Sequence, residues 1–151
     1  MFLYRRTLGV LLGFWLTVPA CAFTFSYGNL LDVKDVQNGG GVLVLPQTNK
    51  KYTNVKVLSK KVYDFLGQCR TDCAYPVQDA AFTVVDFRKA STREDMLIAD
   101  VDINEEILLT FLIFKNKKGH SVKTPQPVVF KDKKLEKQIV FRLNNLAEET
   151  L

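Results

Sequence analysis

Histidine, tryptophan and cysteine are scarce in this 151-residue chain, and each scarcity removes a class of chemistry. The one histidine, His120, cannot complete a four-ligand zinc site with the two cysteines that lie beyond the N-terminal leader. It is also the one candidate for a nucleophilic triad, and no serine stands in a nucleophile-elbow sequence. Trp15, the single tryptophan, falls within the leader. Internal repeats, low-complexity blocks and interdomain linkers are missing, so one domain is expected. No Asn-x-Ser/Thr sequon occurs, which argues against a eukaryotic secretory origin.

What is present first is an address. Arg5 and Arg6 make a basic n-region, Leu8 to Val18 is apolar apart from two glycines and Thr17, and Ala20-Cys21-Ala22 supplies small residues for a signal peptidase. Residues 1–22 are therefore expected to be a signal peptide cut after Ala22, with Phe23 as the new N-terminus. The apolar stretch is far short of the ~20 residues that a helix needs to cross a bilayer. Cys21 follows Val18-Pro19-Ala20, an approximate lipoprotein box with a proline inside it, so lipid attachment at Cys21 is the alternative. The expected location is periplasmic or secreted, with a membrane-anchored lipoprotein as the other possibility.

The leader takes two of the 21 basic residues and none of the 16 acidic ones, leaving 19 against 16, a formal +3. Lysines alternate with Asp, Glu and Asn through the chain, which is not the pattern of a nucleic-acid surface. Cys69 and Cys73 remain as an even pair in an oxidising compartment and are expected to form a disulfide. Three intervening residues make a short loop, and the staple would shape the turn ahead of Tyr75-Pro76.

Beyond the leader the periodicity is that of strands. Residues 41–45 are a short apolar run closed by Pro46, and Val55 and Val57 alternate with polar neighbours. In 81–87, Ala81, Thr83, Val85 and Phe87 share one side while Phe82, Val84 and Asp86 share the other. Leu97, Ala99, Val101 and Ile103 form the cleanest half-buried pattern, and Ile107 to Phe114 is apolar at every position but Thr110, implying burial on both sides. Residues 128–130 and the trio Ile139, Phe141, Leu143 read as two further strands. Helix is expected only as a turn or two at Lys60 to Leu66 and as a short or frayed segment at 144–151. The fold class expected is all-β, an antiparallel β-sandwich of immunoglobulin-like architecture, with an α+β domain on one antiparallel sheet as the alternative.

Candidate chemistry is thin. Asp100, Asp102 and Asn104 open like a calcium loop, but Glu105 stands where glycine is needed and Phe111 where a bidentate Glu should be, leaving only an irregular site from Asp100, Asp102 and Glu106. His120 reads as an exposed turn residue. Asp79, Asp86, Asp95, Asp100 and Asp102 have no spacing that singles out a glycosidase pair. Lysines at 50, 51, 60, 61, 115, 117, 118, 131, 133, 134 and 137 stand at expected strand ends and would make a basic rim if those ends shared a pole. No catalytic, metal or cofactor residues are assigned. The expectation is an exported, non-catalytic cell-envelope module, binding or structural, whose partner would be another envelope or extracellular protein or an anionic surface, and not nucleic acid. The competing class is a secreted hydrolase or an inhibitor of one.

Overall fold

The computed structural model describes residues 21–39, 42–47 and 54–150. The leader up to residue 20 lies outside them, as do Lys50 and Lys51. Ten strands and two helices are described: β1 (Phe23–Tyr27), β2 (Leu31–Gly39), β3 (Val42–Val44), β4 (Val55–Val57), α1 (Lys60–Gln68), β5 (Cys73–Tyr75), β6 (Phe82–Lys89), β7 (Met96–Ile103), β8 (Ile107–Asn116), β9 (Gly119–Lys123), β10 (Val128–Phe130) and α2 (Lys133–Thr150). The protein is mostly β. Its first sheet runs β10-β2-β1-β5 with β3 on the far end of β2, and its second runs β4-β8-β7-β6 with β9 on the far end of β8. All pairings are antiparallel except β1 with β5, which is parallel and corrects the expectation of purely antiparallel sheets.

The sheets face each other across one core. Phe23, Phe25 and Tyr27 alternate inward from β1, Leu31, Val33 and Val36 from β2, and Leu97, Ala99, Val101 and Ile103 from β7. Ile107, Leu109, Phe111 and Ile113 are fully buried on β8. The Phe111 ring lies 6.4 Å from that of Phe130, joining the two layers. The second side of β7 and β8 is also partly covered, by a small cluster of Ala90, Met96, Ile98, Leu112 and Phe114 with the Arg93 guanidinium 5.2 Å above the Phe114 ring. The expectation of a central strand buried on both sides is met on the core side, while Leu108, Leu112 and Phe114 on the other side are half-buried.

Two bulges set which side chains point inward. In β2, Asp35 adopts φ +59° and the pairing shifts against β1, so Lys34 and Asp35 both face out and Val36 returns to the core. In β6 the shift falls between Val84 and Asp86. Phe82, Val84 and Phe87 therefore pack on the core together while Val85 is exposed, which corrects the strict alternation expected for 81–87.

The largest departure is α2. Ile139, Phe141 and Leu143 are not a strand; the operative spacing is four, with Leu135, Ile139, Leu143 and Ala147 buried and Phe141 facing away. Asp132 starts the helix, its Oδ1 accepting the Leu135 amide at 3.0 Å. The shorter α1 begins at Ser59, whose hydroxyl accepts the Val62 amide, and buries Val62 and Leu66. Its last carbonyls, at Leu66 and Gly67, receive the Asn38 amide at 3.0 and 2.9 Å. Immediately beyond, the sulfurs of Cys69 and Cys73 lie 2.28 Å apart, tying the end of α1 to the start of β5.

Candidate functional site

The turn between β7 and β8 builds one wall of the clearest cleft. Asn104 and Glu105 both take positive φ, 56° and 57°, and the Glu106 amide donates to the Ile103 carbonyl at 3.0 Å, the geometry of a tight hairpin turn whose twist matches its strands. Asparagine tolerates that backbone well; glutamate does so at a cost of about 1–2 kcal/mol. The Asn104 side chain reaches across to residues 76–81, the link from β5 to β6. Its Oδ1 accepts the Ala81 amide at 2.8 Å and its Nδ2 donates to the Asp79 carbonyl at 2.6 Å, while the Asn104 amide donates to the Ala81 carbonyl at 2.9 Å. Three hydrogen bonds thus pin the link against the turn.

Behind the cleft lies an aromatic cluster, of which Tyr75 lines the cleft itself. Tyr27 and Tyr75 stack with their planes 3° apart and their centroids at 6.1 Å, and Phe65 meets Tyr75 edge-on at 5.3 Å. Both tyrosine hydroxyls donate to one carboxylate: Tyr27 to Glu106 Oε1 at 2.7 Å and Tyr75 to Oε2 at 3.4 Å. Burial, and then the Glu106 hydrogen bond, push the Tyr27 hydroxyl far above the usual phenol range. Tyr75 is raised in the same direction by burial and by the Glu106 charge. Both phenols therefore stay protonated near neutral pH and act as donors, not as bases or nucleophiles.

Between these walls lies a cleft of about 690 Å³ reached by Tyr75, Asp79, Thr83, Asp102, Glu105 and Glu106. Its rim is acidic. Asp102 accepts the Glu105 amide at 2.6 Å, which holds one carboxylate against the turn. Gly28 shapes the back of the link: at φ +54° a Cβ there would stand 2.7 Å from Val77 Cβ, so only glycine allows Val77 to close over the β1–β2 turn. The Gly28 amide donates to the Tyr75 carbonyl at 2.8 Å and fixes the start of the link.

The structure separates the calcium candidates. Asp100 receives Thr110 Oγ1 at 2.7 Å and Arg88 Nη1 at 3.0 Å on the outer side of the second sheet, Asp102 serves the turn, and Glu106 holds the tyrosines. Among the described residues no group of three or more His, Cys, Asp or Glu side chains is placed to hold a metal ion. His120 is not an exposed turn residue; it lies in β9 opposite Lys115, half-buried, with its Nε2 covered and unpaired among the described residues. The lysines split between elements: Lys60 and Lys61 open α1, Lys133, Lys134 and Lys137 stand in the first turns of α2, and Lys131 pairs with Asp32 at 3.1 Å. Cys21 is a free, exposed thiol next to Ala22 and the start of β1.

Sequence reasoning missed Tyr27, Tyr75, Asn104 and Glu106 as a group, because they come from three separate parts of the chain: β1, β5 and the turn between β7 and β8. One local signal was available: two strong strand patterns flank Asn104-Glu105-Glu106, and Asn in a short connection between two strands marks a positive-φ hairpin turn. Fold and site together define a β-rich domain of two facing sheets with an acidic, tyrosine-lined cleft at the rim between them. Comparison with protein-family models, with curated proteins and with solved structures gives no match in any of the three.

Proposed function

We propose that this is an exported, non-catalytic binding module of the cell envelope, and that its cleft takes a basic segment of another envelope or extracellular protein. The observation that carries the reading is the lining of the cleft by four carboxylates, Asp79, Asp102, Glu105 and Glu106, together with Tyr75. Carboxylates at a partly desolvated rim favour ammonium or guanidinium groups, and an aromatic ring in the lining adds contact area and an attractive face for a cation. The Asn104 latch holds the geometry before any ligand arrives, which lowers the ordering cost of binding. The two facing sheets support a sandwich of immunoglobulin-like architecture; the parallel strand β5 and the long helix α2 are its departures.

Export is supported by the leader pattern, by the bonded sulfurs of Cys69 and Cys73, and by the position of β1, which begins at Phe23 directly after the expected cut. Mass spectrometry of the protein recovered from an exporting host should give an N-terminus at Phe23. A mass carrying acyl chains on Cys21 would make it a membrane-anchored lipoprotein instead.

The cleft is tested with a short fluorescent peptide of alternating lysine and arginine titrated by anisotropy. Asp79→Asn combined with Glu105→Gln should weaken binding about tenfold, and raised salt should weaken the parent protein likewise. Equal affinity for a neutral peptide of the same length would refute the reading.

A further inference from the structure

The outward face of α2 has a charge order that opposes the helix's own electrostatics. Lys133 and Lys134 occupy its first turn, where the backbone N–H groups present positive charge, and Lys137 follows in the second, while Glu148 and Glu149 sit in the last turn beside the terminal carbonyls. Each such placement is unfavourable for an isolated helix. Apart from the 3.7 Å contact of Lys133 with Glu136, none of these five side chains has an ion-pair partner among the described residues. Midway between the two charged ends stands Phe141, 69% exposed, with the stems of Lys133, Lys134 and Lys137 and the Gln138 side chain beside it.

At 3.6 residues per turn, Lys134, Gln138, Phe141, Asn145 and Glu148 recur at spacings of four and three, one continuous seam opposite the buried Leu135, Ile139, Leu143 and Ala147. Its two charged ends, Lys134 and Glu148, stand seven residues on either side of Phe141 and are opposite in charge. We propose that the seam is a self-association surface on which two copies of the protein pair their α2 helices antiparallel about a two-fold axis at Phe141. In that register Phe141 meets the Phe141 of the second copy on the axis, and Lys134 faces Glu148, a contact that occurs twice because the interface is isologous. The charges that oppose each helix's dipole then lie beside the opposite end of its neighbour. The lysines come to the partner's C-terminal carbonyls and the glutamates to its N-terminal amides, so both misplacements become favourable in the pair.

A second copy fits better than an anionic membrane. The lysine end alone resembles a lipid-contacting patch, but Glu148 and Glu149 lie on the same face and would be repelled by it. One helix face with a single aromatic anchor is a small interface, so a dimer that dissociates at micromolar concentration and is sensitive to salt is expected.

The test exploits the symmetry. The full sequence is expressed, purified in the form the host processes, and examined by sedimentation velocity over a dilution series. Lys134→Glu alone and Glu148→Lys alone should each be monomeric where the parent is dimeric, with dissociation constants raised at least about tenfold. Mixed in equal amounts, the two variants should form a heterodimer, since every facing pair is then again opposite in charge. All these positions are exposed, and unchanged circular dichroism and thermal midpoint confirm that the variants are folded. A parent that remains monomeric at several hundred micromolar, or a mixture that stays monomeric, would overturn the proposal. So would dimers unaffected by both single variants. Binding of the monomeric parent to phosphatidylglycerol vesicles, abolished by Lys134→Glu, would assign the face to a lipid surface instead.

Discussion

The Tyr27 hydroxyl donates to Glu106 Oε1 at 2.7 Å, and this contact joins a fully buried aromatic of the first sheet to the last residue of the hairpin turn in the second. Tyr27 is fully buried, so its hydroxyl has no ready access to water if the carboxylate is withdrawn. Glu106→Ala should therefore destabilise the fold by about 1–3 kcal/mol, the cost of a buried donor left without its acceptor. Urea unfolding at neutral pH measures it, and a change below the error of that measurement would show that the contact does not order the aromatic cluster behind the cleft.

The same hydroxyl makes an alkaline prediction. In the unfolded chain Tyr27 titrates near 10, and in the folded protein burial and Glu106 hold its proton to higher pH. Below pH ~10 both states are protonated and the contribution to stability is complete. Above it the unfolded chain sheds a proton that the folded protein keeps, so stability falls until the folded pKa is passed. Urea midpoints taken from pH 8 to 11 should decline for the parent and decline less for Tyr27→Phe. Parallel curves for the two proteins would contradict the assignment.

Gly28→Ala should cost about 2–4 kcal/mol, combining the left-handed backbone penalty with the contact forced on Val77. The damage would spread to the cleft, because Val77 belongs to the link that Asn104 clamps. Protease cleavage within 76–81 should accelerate in this variant beyond what its global stability explains.

Glu105→Gly should act in the opposite sense on stability. Relief of the positive-φ penalty raises the unfolding free energy by up to about 1 kcal/mol, while loss of a rim carboxylate weakens the basic peptide. A variant that is both more stable and a poorer binder identifies strain kept for binding. One that is more stable with unchanged affinity would remove Glu105 from the site.

Phe111→Ala should lower stability by about 3–5 kcal/mol, since its ring is fully enclosed between the sheets and against Phe130. Thermal denaturation decides this directly, with Val85→Ala, on an exposed bulge, as a control expected to change stability by less than about 0.5 kcal/mol.

Much of the second sheet was legible in the sequence because its strands are regular: β7 alternates from Leu97 to Ile103, and β8 is apolar enough to demand a central position. The first sheet was less so. Phe23, Phe25 and Tyr27 alternate cleanly but abut the leader, and in β2 the bulge at Asp35 breaks the period that would have linked Leu31 and Val33 to Val36. Strand β9 has a single apolar side chain packed on the core, Val122, and gives no pattern to read. The error at α2 has a simple cause: Ile139 and Leu143 belong to both a spacing of two and a spacing of four, and the exposed Phe141 between them mimicked a strand. Leu135 and Ala147, with Asp132 ahead of them, would have resolved it. The candidate site could not be read in the same way, because the stacking of Tyr27 on Tyr75 depends on a parallel pairing between strands that no local period encodes.

The link formed by residues 76–81 leaves β5 in one sheet and enters β6 in the other, and so the cleft wall is fastened to both halves of the core. Anything that settles in the cleft resists separation of the sheets, and its binding energy is drawn into the unfolding equilibrium of the entire domain. Occupancy at a hundred times the dissociation constant would add about 2.7 kcal/mol to that equilibrium. The melting temperature is therefore a sensor of the cleft, and libraries of basic peptides can be ranked by thermal shift without labelling either partner.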